Sequence, residues 1–199
     1  DGATHQILED LGLMKMLPGM TVINTCDYNQ TKAATIEIAK HVGPVYLRFG
    51  RPKVPNFTPE NQNFIIGKGV KLINGNDVTI VSTGHLVWQS IIAANELSHE
   101  GIKADVINIH TIKPLDKQII LDSIRKTNCI VSCEEHNIIG GLGESVSRLI
   151  VKNILCPMEF VGVNDTFGES GKPEDLMKKY KLDSENIIKK CKKVISRKK

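Results

Sequence analysis

The chain has 199 residues, 41% apolar and 24% charged, with a net charge of +4 and five cysteines. It is long enough for a real core, as one large domain or one and a half typical ones, and its composition is that of a soluble globular protein. No apolar run approaches the roughly 18 residues that span a membrane, no signal peptide is visible, and the cysteines show no metal-type pairing, which points to free thiols in a reducing cytosol. The positive balance lies in Lys189, Lys190, Lys192, Lys193, Arg197, Lys198 and Lys199. Cations there suit the dipole of a final helix, so a solvated, partly frayed tail is expected rather than a nucleic-acid surface.

In chain order, Asp1-Gly2-Ala3-Thr4-His5-Gln6 places a carboxylate, a hydroxyl and an imidazole just before the stripe Ile7, Leu8, Leu11, Met14, Met16. Thr4 is positioned to cap a helix starting near His5 or Gln6, with Asp1 and His5 at its mouth, where polar ligands are often held. An ordinary capped turn with a solvated histidine explains the same residues. Thr21–Cys26 reads as a strand, Asp27 as the N-cap of a helix carrying Thr35, Ile36, Ile38, Ala39 and Val42, and Val45–Phe49 as the next strand. Strand, helix, strand with short turns predicts a parallel βαβ unit. Residues 52–62, with three prolines and no periodicity, read as a semi-extended connector and a domain boundary.

Beyond it, Val70–Ile73 and Val78–Ser82 flank Asn74-Gly75-Asn76, which predicts an antiparallel hairpin. Helices over 86–99, 116–126 and 142–153 then alternate with strands over 104–109, 129–133 and 158–163. Two helices, from Glu174 and Ser184, close an α/β domain with a mainly parallel sheet.

Three stretches invite chemistry. Arg48 and Arg51 flank Phe49-Gly50 at the C-terminal end of a parallel strand, the edge where ligands bind in open α/β sheets. They are suited to a phosphate or carboxylate, and equally to a surface pair or an ion pair between domains. Glu134-Glu135-His136 with Gly140-Gly141-Leu142-Gly143-Glu144 has the look of a phosphate cradle, but its glutamates would repel phosphate and its spacing fits no nucleotide fingerprint, so a tight structural turn is the better reading. His136 has no partner at ligand spacing, and no metal is assigned. Thr111-Ile112-Lys113-Pro114-Leu115-Asp116 reads as a turn and helix start.

Together these segments resemble the transketolase family of thiamine-diphosphate enzymes. The likeness rests on Asp1-Gly2-Ala3-Thr4-His5-Gln6, Leu8-Glu9-Asp10, Pro18-Gly19-Met20, Arg48-Phe49-Gly50-Arg51-Pro52, the 111–116 stretch and the 134–144 stretch, in the family's order. It implies an α/β fold made of a partial pyrimidine-binding domain (1–52), a linker (53–62) and a transketolase C-terminal domain (63–199). It also implies two-carbon ketol transfer between sugar phosphates, in the pentose phosphate pathway of the cytoplasm. Asp1 then matches the aspartate that recognises a sugar hydroxyl, His5 a histidine near the reacting carbonyl, and Arg51 the phosphate-binding arginine, with Arg48 a weaker neighbour. Thiamine diphosphate with Mg²⁺ or Ca²⁺ is the implied cofactor of the complete enzyme, but the family residues that hold it have no match here. The chain alone is therefore expected to be inactive and not to bind the cofactor tightly. Implied partners are the remainder of the transketolase or an N-terminal subunit, in a homo-oligomer such as a dimer. A 1-deoxyxylulose-5-phosphate synthase or a 2-oxo-acid dehydrogenase E1 β chain is an alternative within the family. A free-standing anion-binding or assembly domain is the non-enzyme alternative.

Overall fold

A computed structural model describes residues 6–198. The first unit comprises α1 (Asp10–Met16), β1 (Thr21–Asn24), α2 (Tyr28–Ile38) and β2 (Val45–Arg48). β1 and β2 run parallel, Thr21 opposite Val45 and Asn24 opposite Arg48, as a βαβ connection requires. Asp27 caps α2 as expected, accepting the Gln30 N–H at 2.8 Å. The same carboxylate takes the N–H groups of Phe57 and Thr58, at 3.0 and 2.8 Å, and the Thr58 hydroxyl at 2.7 Å. The proline-rich connector is thus tied to the end of β1.

The first helix starts later than the sequence suggests, at Asp10 rather than near His5 or Gln6; Thr4 lies outside the described residues. Tertiary bonds claim the segment before it. Gln6 Nε2 donates to the Glu169 carbonyl at 2.6 Å, and the Leu8 carbonyl accepts from the Asn137 N–H at 2.7 Å. α2 likewise stops at Ile38, short of Val42, which is 96% exposed and so extends no apolar face.

The second unit runs β3 (Val70–Ile73), β4 (Val78–Ser82), α3 (Leu86–His99), β5 (Ala104–Asn108), β6 (Thr111–Lys113), α4 (Lys117–Thr127), β7 (Ile130–Asn137), α5 (Leu142–Asn153), β8 (Met158–Val163), α6 (Pro173–Lys179) and α7 (Ser184–Ile195). Its sheet has the order β3-β5-β4-β7-β8, parallel except for β3. β4 and β5 are buried along their whole lengths, as strands covered by helices on both faces must be. Val131 and Cys133 of β7 pack with Leu86, Ala93 and Leu97 of α3 and Ile187, Cys191 and Val194 of α7. Ile130 packs on the opposite face with Ile120 and Ile124 of α4 and Leu142 and Val146 of α5.

Two expectations are corrected. β3 and β4 do not form a hairpin, because β5 lies between them, antiparallel to β3 and parallel to β4. The 111–116 stretch is more than a turn: β6 crosses to the first sheet and pairs antiparallel with β1, giving the order β2-β1-β6. Phe64 also packs with Ile23 and Ala34 of the first unit. Asp116 does cap the following helix, with its carboxylate facing the Ile119 N–H.

Candidate functional site

In both sheets the carboxyl ends of the parallel strands are where function is expected, and here they face one another across a cleft of about 1140 Å³. From the first unit come Gln6, Arg48, Gly50 and Arg51; from the second come His85 and Glu135. Arg48 is engaged. Its Nε lies 3.0 Å from the Asp10 carboxylate and its Nη2 donates to the Ile7 carbonyl at 3.3 Å, while the Tyr46 hydroxyl reaches the same Asp10 oxygen at 2.7 Å. Burial, reinforced by that bond to Asp10, pushes the Tyr46 phenol up to about 12. This is an ion pair between the end of β2 and α1, within one unit rather than between domains. Arg51, three residues on, lies exposed on the rim of the cleft. Asp1 and His5 lie outside the described residues; their neighbour Gln6 is held against Glu169 as above.

His85 carries no motif that singles it out in the sequence. It follows β4 directly, while Glu135 lies toward the end of the adjacent β7. The chain leaves β4 through α3 towards β5 and leaves β7 through α5 towards β8, on opposite faces of the sheet. Their ends therefore bound the sheet's topological switch point, where a crevice opens. There His85 Nδ1 meets Glu135 Oε2 at 3.0 Å. Burial raises the Glu135 carboxyl, but the hydrogen bond and charge of His85, with Arg48 behind, outweigh it and hold the group below its usual range. A histidine just after a strand and before a helix is a usable signal, hidden here because the expected hairpin concealed the strand order.

The glycine-rich turn is structural, as its glutamates predict. The Leu142 and Gly143 N–H groups opening α5 donate to Glu134 at 2.6 and 2.8 Å, so an internal carboxylate fills the place a phosphate would take. Lys15 reaches the Gly141 carbonyl at 2.5 Å and the Ser145 hydroxyl at 2.8 Å. His136 sits between units: its Nδ1 faces the Asn137 carbonyl at 2.6 Å, and its Nε2 accepts from the Gly12 N–H at 3.3 Å, which fixes the proton on Nδ1. Lys113 caps the end of α1 through the Lys15 and Leu17 carbonyls at 2.9 and 2.6 Å. The basic tail is corrected from frayed to bound. Lys190, Lys193 and Arg197 converge on Glu159 of β8 at 2.9, 3.0 and 2.6 Å, and Lys198 bonds the Asp77 carbonyl. All five cysteines are free thiols, and no helix is long and apolar enough to cross a membrane among the described residues.

Protein-family models place this geometry. One described as transketolase, pyrimidine binding domain, matches residues 1–56, and one described as transketolase, C-terminal domain, matches residues 67–187. The chain is 40% identical over 198 residues to the 6-deoxy-6-sulfo-D-fructose transketolase subunit SqwH of Clostridium sp. (strain MSTE9), covering all of this chain and 62% of that protein. It is 42% identical over 192 residues to a protein of Methanocaldococcus jannaschii described as a transketolase C-terminal section, covering 95% of this chain and 60% of that one. A 1-deoxy-D-xylulose-5-phosphate synthase of Geobacter sulfurreducens matches at 34% identity over 94% of this chain but only 30% of its own length. Among solved structures, a split-gene transketolase described as an inactive β4 tetramer superposes with a TM-score of 0.96 at 40% identity, over all of this chain and 65% of that one. The chain thus spans about 60% of the length of the first two relatives. With both domain models matched in order and the switch-point α/β fold in place, the chain belongs to the transketolase family.

Proposed function

We propose that this chain forms the sugar-gripping part of a thiamine-diphosphate-dependent transketolase, moving a two-carbon ketol unit between sugar phosphates in the cytoplasm, as in the pentose phosphate pathway. The observation that carries the reading is the place of Arg51, exposed on the rim of the cleft just past the carboxyl end of β2. Arg51 takes the sugar phosphate, Asp1 a hydroxyl, and His5 stands at the reacting carbonyl; Arg48 supports them by fixing the end of β2. A ketose phosphate needs this division, with a charge-assisted anchor at one end and hydrogen-bond partners along the chain.

When bound, thiamine diphosphate supplies the carbon–carbon cleavage chemistry. Among the described residues no three or more potential metal ligands converge, and no residue of this chain is assigned to its diphosphate. That part of the cofactor, with Mg²⁺ or Ca²⁺, belongs in this reading to the remainder of the protein or to an N-terminal subunit, in a homo-oligomer such as a dimer. The 199 residues alone then neither hold the cofactor tightly nor turn over. The pyrimidine-binding part ends at residue 52 and the C-terminal domain starts at 63.

The test is Arg51→Ala in the complete enzyme. Losing a charge-assisted bond to phosphate is worth roughly 1.5–3 kcal/mol, or about 10- to 150-fold in affinity. The phosphorylated donor loses that much, and its unphosphorylated analogue far less. Equal losses defeat the reading, and turnover of pyruvate in place of a ketose donor moves the chain to the synthase.

A further inference from the structure

We infer that His85, oriented by Glu135, is a positioning residue of the substrate site: its ring is the seat on which Gly50 rests, and through Gly50 it fixes where Arg51 stands. The inference rests on the assignment of Arg51 to the sugar phosphate. It assigns a part in substrate selection to the second unit, whose residues have no role in the reading above.

Contact comes first. A Cβ built on Gly50 falls 2.0 Å from Cε1 and 2.2 Å from Nε2 of His85. No side chain fits there, so the backbone of residue 50 lies directly against the ring, and any shift of the ring moves the residue beside Arg51. Orientation is the second point. Glu135 holds Nδ1 at 3.0 Å, so the imidazole presents its Cε1–Nε2 edge to Gly50 instead of rotating away. Alternation along β7 explains why Glu135 can do this. Cys133 packs on the α3 side of the sheet, and Glu135, two residues on, meets His85 where α3 opens, while Glu134 accepts the N–H groups of Leu142 and Gly143 that open α5. Location is the third point. The pair bounds the switch point of the second sheet, and the segment it meets is the carboxyl end of β2 in the first. A carboxylate–imidazole pair seated under the residue next to the phosphate anchor is placed to set geometry rather than to move protons.

The experiment uses the complete enzyme and reads phosphate discrimination, the ratio of kcat/KM for a phosphorylated donor to that for its unphosphorylated analogue. His85→Ala lowers that ratio about tenfold, a displaced anchor losing part of a charged bond. Gly50→Ala lowers it at least as far by pushing on the ring. The pair Gly50→Ala with His85→Ala falls well short of the product of the two, because the new methyl occupies the space the ring has left. In an Arg51→Ala background, His85→Ala lowers the ratio no further. An unchanged ratio in a folded His85→Ala enzyme overturns the inference, as does additivity with Arg51→Ala. Should His85→Ala not fold, Glu135→Ala decides in its place, since it removes the acceptor that holds Nδ1 and loosens the ring without emptying its seat: a lowered ratio supports the inference and an unchanged one overturns it. A wild-type enzyme that does not prefer the phosphorylated donor defeats the phosphate reading itself, an outcome distinct from both.

Discussion

Glu134 offers a test of the physics that closes the glycine-rich turn. Its side chain is fully buried, and burial pushes its carboxyl from 4.5 up to about 7 against the opposing pull of the Gly143 and Leu142 N–H groups and the charge of Lys15. The unfolded chain releases this proton near 4.5 and the folded chain only near 7. Between those values the folded state holds the extra proton, so the stability contributed by the neutral form is complete below about 4.5 and is lost as pH rises through about 7. At 1.36 kcal/mol per unit, the loss is on the order of 3 kcal/mol by pH 8. Glu134→Gln removes the titration and keeps the shape. The amide oxygen can accept only one of the two N–H groups and the amide nitrogen, itself a donor, faces the other, so the variant starts below the parent at low pH by about 1–3 kcal/mol, the cost of an unsatisfied buried donor. The gap then shifts in the variant's favour by about 3 kcal/mol on going to pH 8. Urea unfolding from pH 5 to 8, followed through the single tryptophan, Trp88, which stacks on Phe57 at 5.4 Å, measures the difference. A pH-independent gap refutes the reasoning, and a parent that gains on the variant at high pH shows that the N–H pair and Lys15 dominate over burial.

Two further outcomes are expected. Asp10→Asn and Arg48→Met, alone and together, should show a coupling of about 1–3 kcal/mol, because either change alone strands a largely buried charge; additive losses in urea unfolding would count against the pair. His5→Ala in the complete enzyme should lower kcat more than it raises KM, since an imidazole near the reacting oxygen acts on charge that develops during the reaction; a raised KM with intact kcat would remove that role.

What was legible in the sequence was local. Asp27 and Asp116 cap the helices they announce, and the glutamates of the 134–144 stretch argue against phosphate because one of them takes phosphate's place. What was not legible depended on partners far along the chain. Asn74-Gly75-Asn76 carries every sign of a hairpin turn, yet Gly75 is glycine for another reason. Its N–H goes to Asp105 at 3.1 Å, and a Cβ there would lie 2.3 Å from the backbone of Lys103 and Ala104. The turn needs a glycine to pass close over the start of β5, and no local signal distinguishes that need from a hairpin. β6 is three residues of strand recruited by the other unit's sheet, and the tail's cations are claimed by Glu159, 31 to 38 residues upstream. At the cleft, the residue-level signal for Arg51 survived because the strand before it is plain in the sequence. That for His85 was lost with the strand order.

The same long-range bonds bear on the role proposed for Arg51, because an exposed arginine needs a fixed backbone to act as a defined anchor. Arg51 stands on a short span with both ends fixed. On one side Arg48 is locked to Asp10 at 3.0 Å, and Asp10 to Tyr46 at 2.7 Å. On the other, Phe57 and Thr58 are held by three bonds to Asp27, and Phe57 stacks on Trp88 of the second unit. Between these points the backbone at Gly50 lies against the His85 ring, which Glu135 holds in turn. A free chain of this length would sample many conformations, and each ordered residue costs about 1–2 kcal/mol of backbone entropy. Here folding has already met that cost, so under the proposed function the affinity of the guanidinium for a sugar phosphate is not reduced by it. The second unit supplies two of the fixed points, Trp88 and His85, while Arg51 itself follows β2 of the first. Under the proposed function, the second unit's contribution to the site is therefore expected to show in how sharply the complete enzyme selects a phosphorylated sugar.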